Sequence, residues 1–229
     1  MGRQVMMRQN GNGGGLASGN DPINAQMYST QRMGSPEDLF QPIYDRVNYA
    51  VGGAASLSFF SQPQGAAVTL NIAGAAAAKN KSYRDTNMET AGVMATKRFT
   101  VIGMAINFIP AQQAVAVAAT TSIADDILIL KNGGWVEFRI GDKPLLYMPM
   151  NLIPESNPIS SIASTANNVT IIGAGATAAI PYPMMKFAIP VTINPQETFR
   201  FTLNFDGSPT ITQATDIQVV LYSFMRRPS

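Results

Sequence analysis

The chain has 229 residues, of which 46% are apolar and only 13% are charged, about half the charged fraction of an average globular domain. It contains no cysteine and no histidine, which excludes disulfides, thiolate nucleophiles, imidazole bases and the usual Cys/His zinc sites. The net charge is +2, and residues 1–34 hold three arginines against one aspartate. This is a weak footprint for nucleic acid, so we do not expect nucleic acid as a partner. No apolar run is long enough to predict a membrane span.

Residues 1–34 are rich in Gly, Asn, Gln and Met and show no regular spacing of apolar side chains. This composition cannot bury enough surface to fold alone. Two interpretations stay open: a floppy terminus, or an arm that becomes ordered against a neighbouring subunit through its adaptable methionines. We therefore predict a flexible or partner-ordered N-terminal arm at 1–34 and a single domain at 35–229.

The sequence Ser-Pro-Glu-Asp at residues 35–38 predicts a short helix, because Ser suits the cap position, Pro the first turn and acids the turn that follows. Pro42 would limit this helix to one or two turns. The large apolar side chains that come next are predicted to clamp the arm onto the domain: Leu39, Phe40, Ile43 and Tyr44.

Runs of β-branched and aromatic residues predict about nine strands. The alternation of apolar and polar residues is clearest at 198–205, whereas 217–225 is apolar on both faces, which predicts a central position in a sheet. Long loops are predicted at 73–95, 154–166 and 173–183. The full set of predicted strands is 56–61, 66–73, 99–110, 135–140, 144–152, 169–172, 187–193, 198–205 and 217–225.

Residues 121–154 predict a helix, a turn, a strand, a tight turn and a returning strand. Thr121 or Ser122 would cap the helix, and the acids Asp125 and Asp126 would then lie in its first turn, where they suit the helix dipole. The sequence Asn-Gly-Gly at 132–134 supplies residues that tolerate positive φ, so the helix is predicted to end there.

No group of residues in the chain has the pattern of an active site. Asp125 and Asp126 are adjacent on the predicted helix, so their side chains diverge and cannot easily share a proton or a metal. The glycine-rich runs at 10–15 and 173–176 lack the flanking residues of phosphate-binding or dinucleotide-binding loops. We predict no catalytic residue, no cofactor and no metal ligand, and hence no enzymatic activity.

Together these elements predict an all-β fold: a two-sheet antiparallel sandwich of jelly-roll type, with an extended N-terminal arm and a short inset helix. An immunoglobulin-like sandwich fits less well, because the chain is about twice as long as such a domain and lacks its cysteines. The helix and turn leading into GGWVEFRIGDKPLL, the arm, and the closing DIQVVLYSFMRRP resemble in layout a jelly-roll capsid subunit of an icosahedral bacteriophage. The resemblance spans about residues 35–227.

This resemblance implies a structural subunit of a virion, either a major capsid or a cement protein, that self-assembles in the host cytoplasm. Its partners would be copies of itself and other capsid proteins, and the resemblance carries no catalytic or binding residue over to this chain. The side chains that we predict to lie between subunits are Leu39, Phe40, Tyr44, Met148 and Met150.

Trp135, the only tryptophan, leaves an alternative function open. With Tyr147 and Asn151 it could form a stacking platform for sugar, as in a carbohydrate-binding or receptor-binding β-sandwich module. Exposed aromatic side chains clustered on one sheet would favour that alternative over packing in the core or at an interface.

Overall fold

The computed structural model describes residues 38–72, 75–93, 97–111, 118–155, 159–164, 169–174 and 184–226. The predicted arm at 1–34 lies outside these ranges and stays a prediction. The described residues form antiparallel sheets with one α-helix and one 3-10 turn, so the prediction of an all-β fold is confirmed.

Strands occupy most of the described chain. The helix α1 (Ala118–Gly133) lies between β6 and β7, and the 3-10 turn (Met150–Leu152) follows β8. The strands in chain order are β1 (Asp38–Phe40), β2 (Ile43–Tyr49), β3 (Ser56–Phe59), β4 (Ala67–Ile72), β5 (Ala75–Asn80), β6 (Arg98–Pro110), β7 (Gly134–Ile140), β8 (Lys143–Pro149), β9 (Ile159–Ser164), β10 (Val169–Ala174), β11 (Met185–Ile193), β12 (Phe199–Phe205) and β13 (Thr215–Arg226).

The first sheet is built around β13. This strand pairs with β6 along its whole length and with both β1 and β2 on its other side, while β11 forms the far edge beyond β6. Most side chains of β13 are buried on both faces, and Arg226 at its end is exposed. The central position predicted for residues 217–225 is confirmed.

The second sheet has the order β3, β12, β7, β8. Phe201 of β12 lies directly opposite Phe59 of β3 on one side and Phe138 of β7 on the other. All three rings are buried, whereas Arg200, which directly precedes Phe201 on β12, is exposed. The alternation predicted for residues 198–205 therefore separates a core face from an outer face, as expected for a half-buried strand.

One hydrophobic core joins the inner faces of the two sheets. Val219 and Leu221 from the first sheet belong to the same buried cluster as Val136, Phe138 and the other inward side chains of the second. Burial of apolar surface contributes about 25 cal/mol per Å², so this shared layer is the main force holding the two sheets face to face as a β-sandwich. Two further hairpins, β4–β5 and β9–β10, lie outside both sheets.

The predicted helix at 35–38 is wrong for its described part. Residues Asp38–Phe40 form β1 instead, because Leu39 pairs with Met225 and Phe40 with Phe224 of the central strand. Local helix signals are weak compared with strand pairing to a distant segment, so the tertiary context decides this element.

Two predicted loops contain strands. Ala75–Asn80, within the predicted loop 73–95, pairs residue by residue with β4, and Ile159–Ser164, within the predicted loop 154–166, pairs with β10. The first is a run of alanines, which favours a helix when isolated, so only its partner strand makes it extended.

Within the described residues α1 begins at Ala118, which is earlier than the predicted caps Thr121 and Ser122. Asp125 and Asp126 therefore lie beyond the first turn, and the prediction that they serve the helix dipole is wrong. Asp125 is exposed, whereas Asp126 is buried and accepts hydrogen bonds from the backbone N–H of Thr212 at 2.9 Å, from its hydroxyl at 2.7 Å and from the N–H of Gln213 at 3.2 Å. It fastens the loop before β13 to the helix.

Candidate subunit-contact surfaces

The exposed large apolar side chains lie in separate places on the sandwich. One group, Leu39 and Phe40, lies on β1 and is called the β1 patch. The second group is Leu145 and Ile189, on the edge strands β8 and β11. The third group lies on α1 and the 3-10 turn beside it and consists of Leu128, Ile129 and Leu152. Large apolar side chains left in water are candidates for contacts with partners.

The β1 patch is held from below by two aromatic side chains of the central strand. Leu39 and Phe40 are each 40% exposed. The Phe40 ring stacks on Tyr222 with centroids 6.3 Å apart and meets Phe224 edge to face at 5.7 Å. Among the described strands β1 pairs only with β13, so its outer edge is open for further contacts.

Tyr44 lies on β2 and is half-buried. Its hydroxyl donates a hydrogen bond to the backbone carbonyl of Tyr83 at 2.5 Å, and its ring meets the Tyr83 ring edge to face at 6.1 Å. Burial, together with the neighbouring Tyr83, raises the pKa of Tyr44 to about 12, so the group stays a neutral donor. The structure therefore places Tyr44 as a support for Tyr83, an exposed ring in a polar loop that sequence reasoning missed.

The two predicted methionine contacts lie on the edge strand of the second sheet and in the 3-10 turn that follows it. Met148 of β8 is half-buried and packs against the core, and Met150 of the 3-10 turn is only 1% exposed. The five predicted contact residues thus do not form one surface. Met150 has a role inside the subunit, between Gly134 and the helix, and its contact with a neighbour stays a prediction.

A groove of about 470 Å³ separates the edge strands β8 and β11 and is called the β8–β11 groove. Leu145 lines one side and Ile189 with Pro190 the other. The pairing of β11 with β6 breaks between Lys186 and Val191, so residues 187–190 bulge away from the sheet. As a result Ile189 is 79% exposed. Because its position depends on a bulge, no residue pattern could have identified it.

Buried charged side chains link β2, β4 and β13 on the side of the first sheet away from β11. Asp216 of β13 accepts hydrogen bonds from Arg46 at 2.6 Å, from Asn48 at 2.6 Å and from the backbone N–H of Asn71 at 2.9 Å. Arg46 also donates to the Asn71 carbonyl, so the β4–β5 hairpin is tied to the first sheet.

Two further aspartates are matched by lysines. Lys81 donates to Asp45 at 2.6 Å, and burial raises the pKa of Asp45 although this ammonium acts to lower it. Lys79 donates to Asp85 at 2.6 Å. Burial alone would raise the pKa of Asp85, but Lys79 and the two donors of Ser82 outweigh it and hold the pKa below its usual value. These carboxylates are therefore structural anchors.

No known family model, curated protein or solved structure matches the chain. In the part of the chain that the structure describes, none of the helices is both long and apolar enough to cross a membrane. Nor do the described residues include three or more His, Cys, Asp or Glu side chains grouped so that they could hold a metal ion.

Proposed function

We propose that the chain is a jelly-roll structural subunit of a bacteriophage virion, a major capsid or cement protein that acts by self-assembly. The observation that carries this proposal is the nesting of its strand pairs. Strand β2 pairs with β13, β3 with β12, β6 with β11 and β7 with β8, all antiparallel, so that each pair encloses the next along the chain.

Nested pairs arise when one long antiparallel hairpin folds over onto itself. Contacts between β13 and β6 join the first and third pairs into one sheet, and contacts between β12 and β7 join the second and fourth into the other. Pairs thus alternate between two facing sheets of eight principal strands, which is the arrangement expected of a jelly roll. Viral capsid domains are one of the groups that use this fold.

A fold alone does not define a function, so the surfaces must supply the rest. The β1 patch and the β8–β11 groove lie at opposite edges of the sandwich, since β1 and β11 flank the first sheet. A subunit with different contact surfaces on opposite sides makes head-to-tail contacts, which close into rings when the rotation allows. This arrangement suits a subunit that meets several copies of itself.

The proposed arm, residues 1–34, would add a further contact by becoming ordered on a neighbouring subunit. Ordering costs about 1 to 2 kcal/mol per residue in backbone entropy, so only segments with good apolar contacts would lock in place. In this proposal the partners are copies of the chain and other capsid proteins, the location is the virion, and the role is structural and not enzymatic.

Light scattering and electron microscopy of the purified full-length chain test the proposal. We expect oligomers or particles whose formation is weakened by removing residues 1–34 and by the charged substitutions Phe40→Asp and Ile189→Asp at the two edges. Val51→Asp is the matched control, because Val51 is similarly exposed in the turn after β2. A full-length chain that stays monomeric up to millimolar concentration, or a control as damaging as the edge variants, contradicts self-assembly through these edges.

A further inference from the structure

The outer face of the second sheet carries two exposed aromatic side chains side by side. Trp135 of β7 is 36% exposed and Tyr147 of the edge strand β8 is 53% exposed. Their ring centroids lie 5.9 Å apart with the planes inclined by 39°. The pair therefore presents adjoining aromatic surfaces to solvent.

The polar end of this surface is fixed by a network of hydrogen bonds. The Tyr147 hydroxyl donates to a carboxylate oxygen of Glu137 at 2.9 Å and accepts from the Arg139 guanidinium at 3.2 Å. Glu137 and Arg139 are also ion-paired with each other. Because they alternate with buried residues along β7, they share the outer face with Trp135. The ring orientation and the charges are thus set before any ligand arrives, which lowers the entropic cost of binding.

Further hydrogen-bonding groups continue the face beyond the tryptophan. Asn204 of β12 lies directly opposite Trp135, and Thr202 lies directly opposite Glu137. The Nδ2 amide of Asn204 has no hydrogen-bond acceptor among the described residues. The nitrogen itself is buried, so a ligand could reach it only after the Asn204 side chain turns outward. The next strand adds Ser56 opposite Asn204, so small polar side chains extend across the sheet.

We propose that this outer face binds a pyranose sugar. A pyranose ring has an apolar face of C–H groups that can pack on Trp135 and Tyr147. Its hydroxyl groups need both acceptors and donors at the rim, which Glu137 and Arg139 supply in a fixed geometry.

The composition of the face favours a sugar over other occupants. The centre of a protein–protein interface is depleted of charged residues, whereas here a carboxylate and a guanidinium lie beside the aromatic pair. Single-stranded nucleic acid also stacks on aromatic rings, but it requires a continuous groove of positive charge. Arg200 lies opposite Arg139 on this face, but Glu137, which is paired with Arg139, places a negative charge between these arginines and Trp135 along β7. The proposal does not depend on whether the chain assembles into a shell.

The chain offers a direct reporter, because its only tryptophan lies in the proposed site. The full-length protein is first applied to an array of oligosaccharides and then titrated with methyl glycosides of glucose, galactose, mannose, N-acetylglucosamine and N-acetylneuraminic acid. We expect array signals that share one pyranose, and a saturable change in Trp135 emission with the matching glycoside.

Variants separate the site from other aromatic surfaces. Saturation-transfer NMR, which does not need the tryptophan, should give an affinity loss of about tenfold or more for Trp135→Ala and for Tyr147→Ala, as is typical of truncating a central aromatic anchor. Tyr147→Phe, which keeps the ring but removes the hydroxyl, should lose less. Tyr83→Ala is the control, because Tyr83 is an exposed aromatic that contacts Tyr44 of the first sheet. Unchanged thermal unfolding establishes that each variant is folded.

Two binding results overturn the proposal, and a third result, dependence of the emission on protein concentration, does so as well. One is an array without signal above background together with an emission spectrum that no glycoside changes. The other is binding that survives both alanine substitutions at full strength or falls equally in Tyr83→Ala. If Trp135 emission changes with protein concentration and not with sugar, a second copy of the chain covers this face, and the sugar site is likewise rejected.

Discussion

The Nζ atom of Lys81 lies 2.6 Å from Oδ1 of Asp45, and both side chains are buried. The second carboxylate oxygen of Asp45 accepts the backbone N–H of Phe60 at 2.7 Å. Phe60 has a φ of +63°, a conformation that bulky residues rarely adopt. One carboxylate on β2 therefore holds both the loop that follows β5 and an unfavourable backbone turn at the end of β3.

Replacing Lys81 by methionine should lower the free energy of unfolding by about 3 to 5 kcal/mol, because it leaves the Asp45 charge buried without its partner. Chemical denaturation monitored by circular dichroism measures this change. The double variant Asp45→Asn with Lys81→Met should recover much of the loss, since neither charge then remains. A double variant less stable than the single one would contradict this account.

The free energy of unfolding should depend on pH through Asp85, because the pKa of this carboxyl in the folded chain lies below its ordinary value. The folded state thus binds the proton less readily than the unfolded state, so the stabilising contribution is complete above about pH 4 and is lost as the pH falls further. Asp85→Asn should reduce the dependence of the denaturation midpoint on pH between about 5 and 3. Asp125→Asn, at an exposed carboxylate, should leave the dependence unchanged.

Adding a methyl group at Gly134 should destabilise the junction between α1 and β7. A Cβ atom there would lie 2.6 Å from Cε of Met150 and 2.8 Å from the backbone carbonyl oxygen of Leu130, which cannot move aside. We expect Gly134→Ala to cost about 1 to 3 kcal/mol, as overpacking usually does. Gly133→Ala is a matched control, because its Cβ meets nothing within 4 Å. Equal melting temperatures for the two variants would refute this reason for the glycine.

Removing the Asp126 carboxylate should release the loop before β13. Asp126→Ala leaves the backbone N–H groups of Thr212 and Gln213 without their acceptor, at a cost of about 1 to 3 kcal/mol. Hydrogen exchange should become faster at these two amides in particular. Asp125→Ala, one residue earlier and exposed, should change the stability by less than about 0.5 kcal/mol.

The sequence predicts best those strands whose large side chains alternate with polar ones. On β12 every second residue is large and apolar, Phe201 among them, and the structure buries these side chains as predicted. The pattern fails for β1 and β5, where local residues favour a helix and only the pairing of Phe40 with Phe224, or of the alanines with β4, makes the chain extended. The pairing of β1 with β13 joins segments far apart in sequence, which no local window contains. The β4–β5 hairpin is local, and its second strand was missed because a run of alanines favours a helix.

The candidate surfaces were predictable only in part for a related reason. Leu39 and Phe40 stand in a short apolar run beside polar residues, and they are exposed in the structure. Ile189 owes its exposure to a bulge, and Met150 owes its burial to the space that Gly134 leaves beneath it. Arg46 and Asp216 are 170 residues apart in sequence, so the residues around either one do not reveal that the two are paired.

The nested pairing also sets an order of events during synthesis. The innermost pair, β7 with β8, is a local hairpin that can form early, whereas β1 and β2 must wait until β13 has emerged from the ribosome. Contacts between such distant segments make folding slow. Because the β1 patch rests on Tyr222 and Phe224, it is completed only in this last step. If the patch joins subunits as proposed, an unfinished chain lacks one of its two edges and cannot be built into a growing shell.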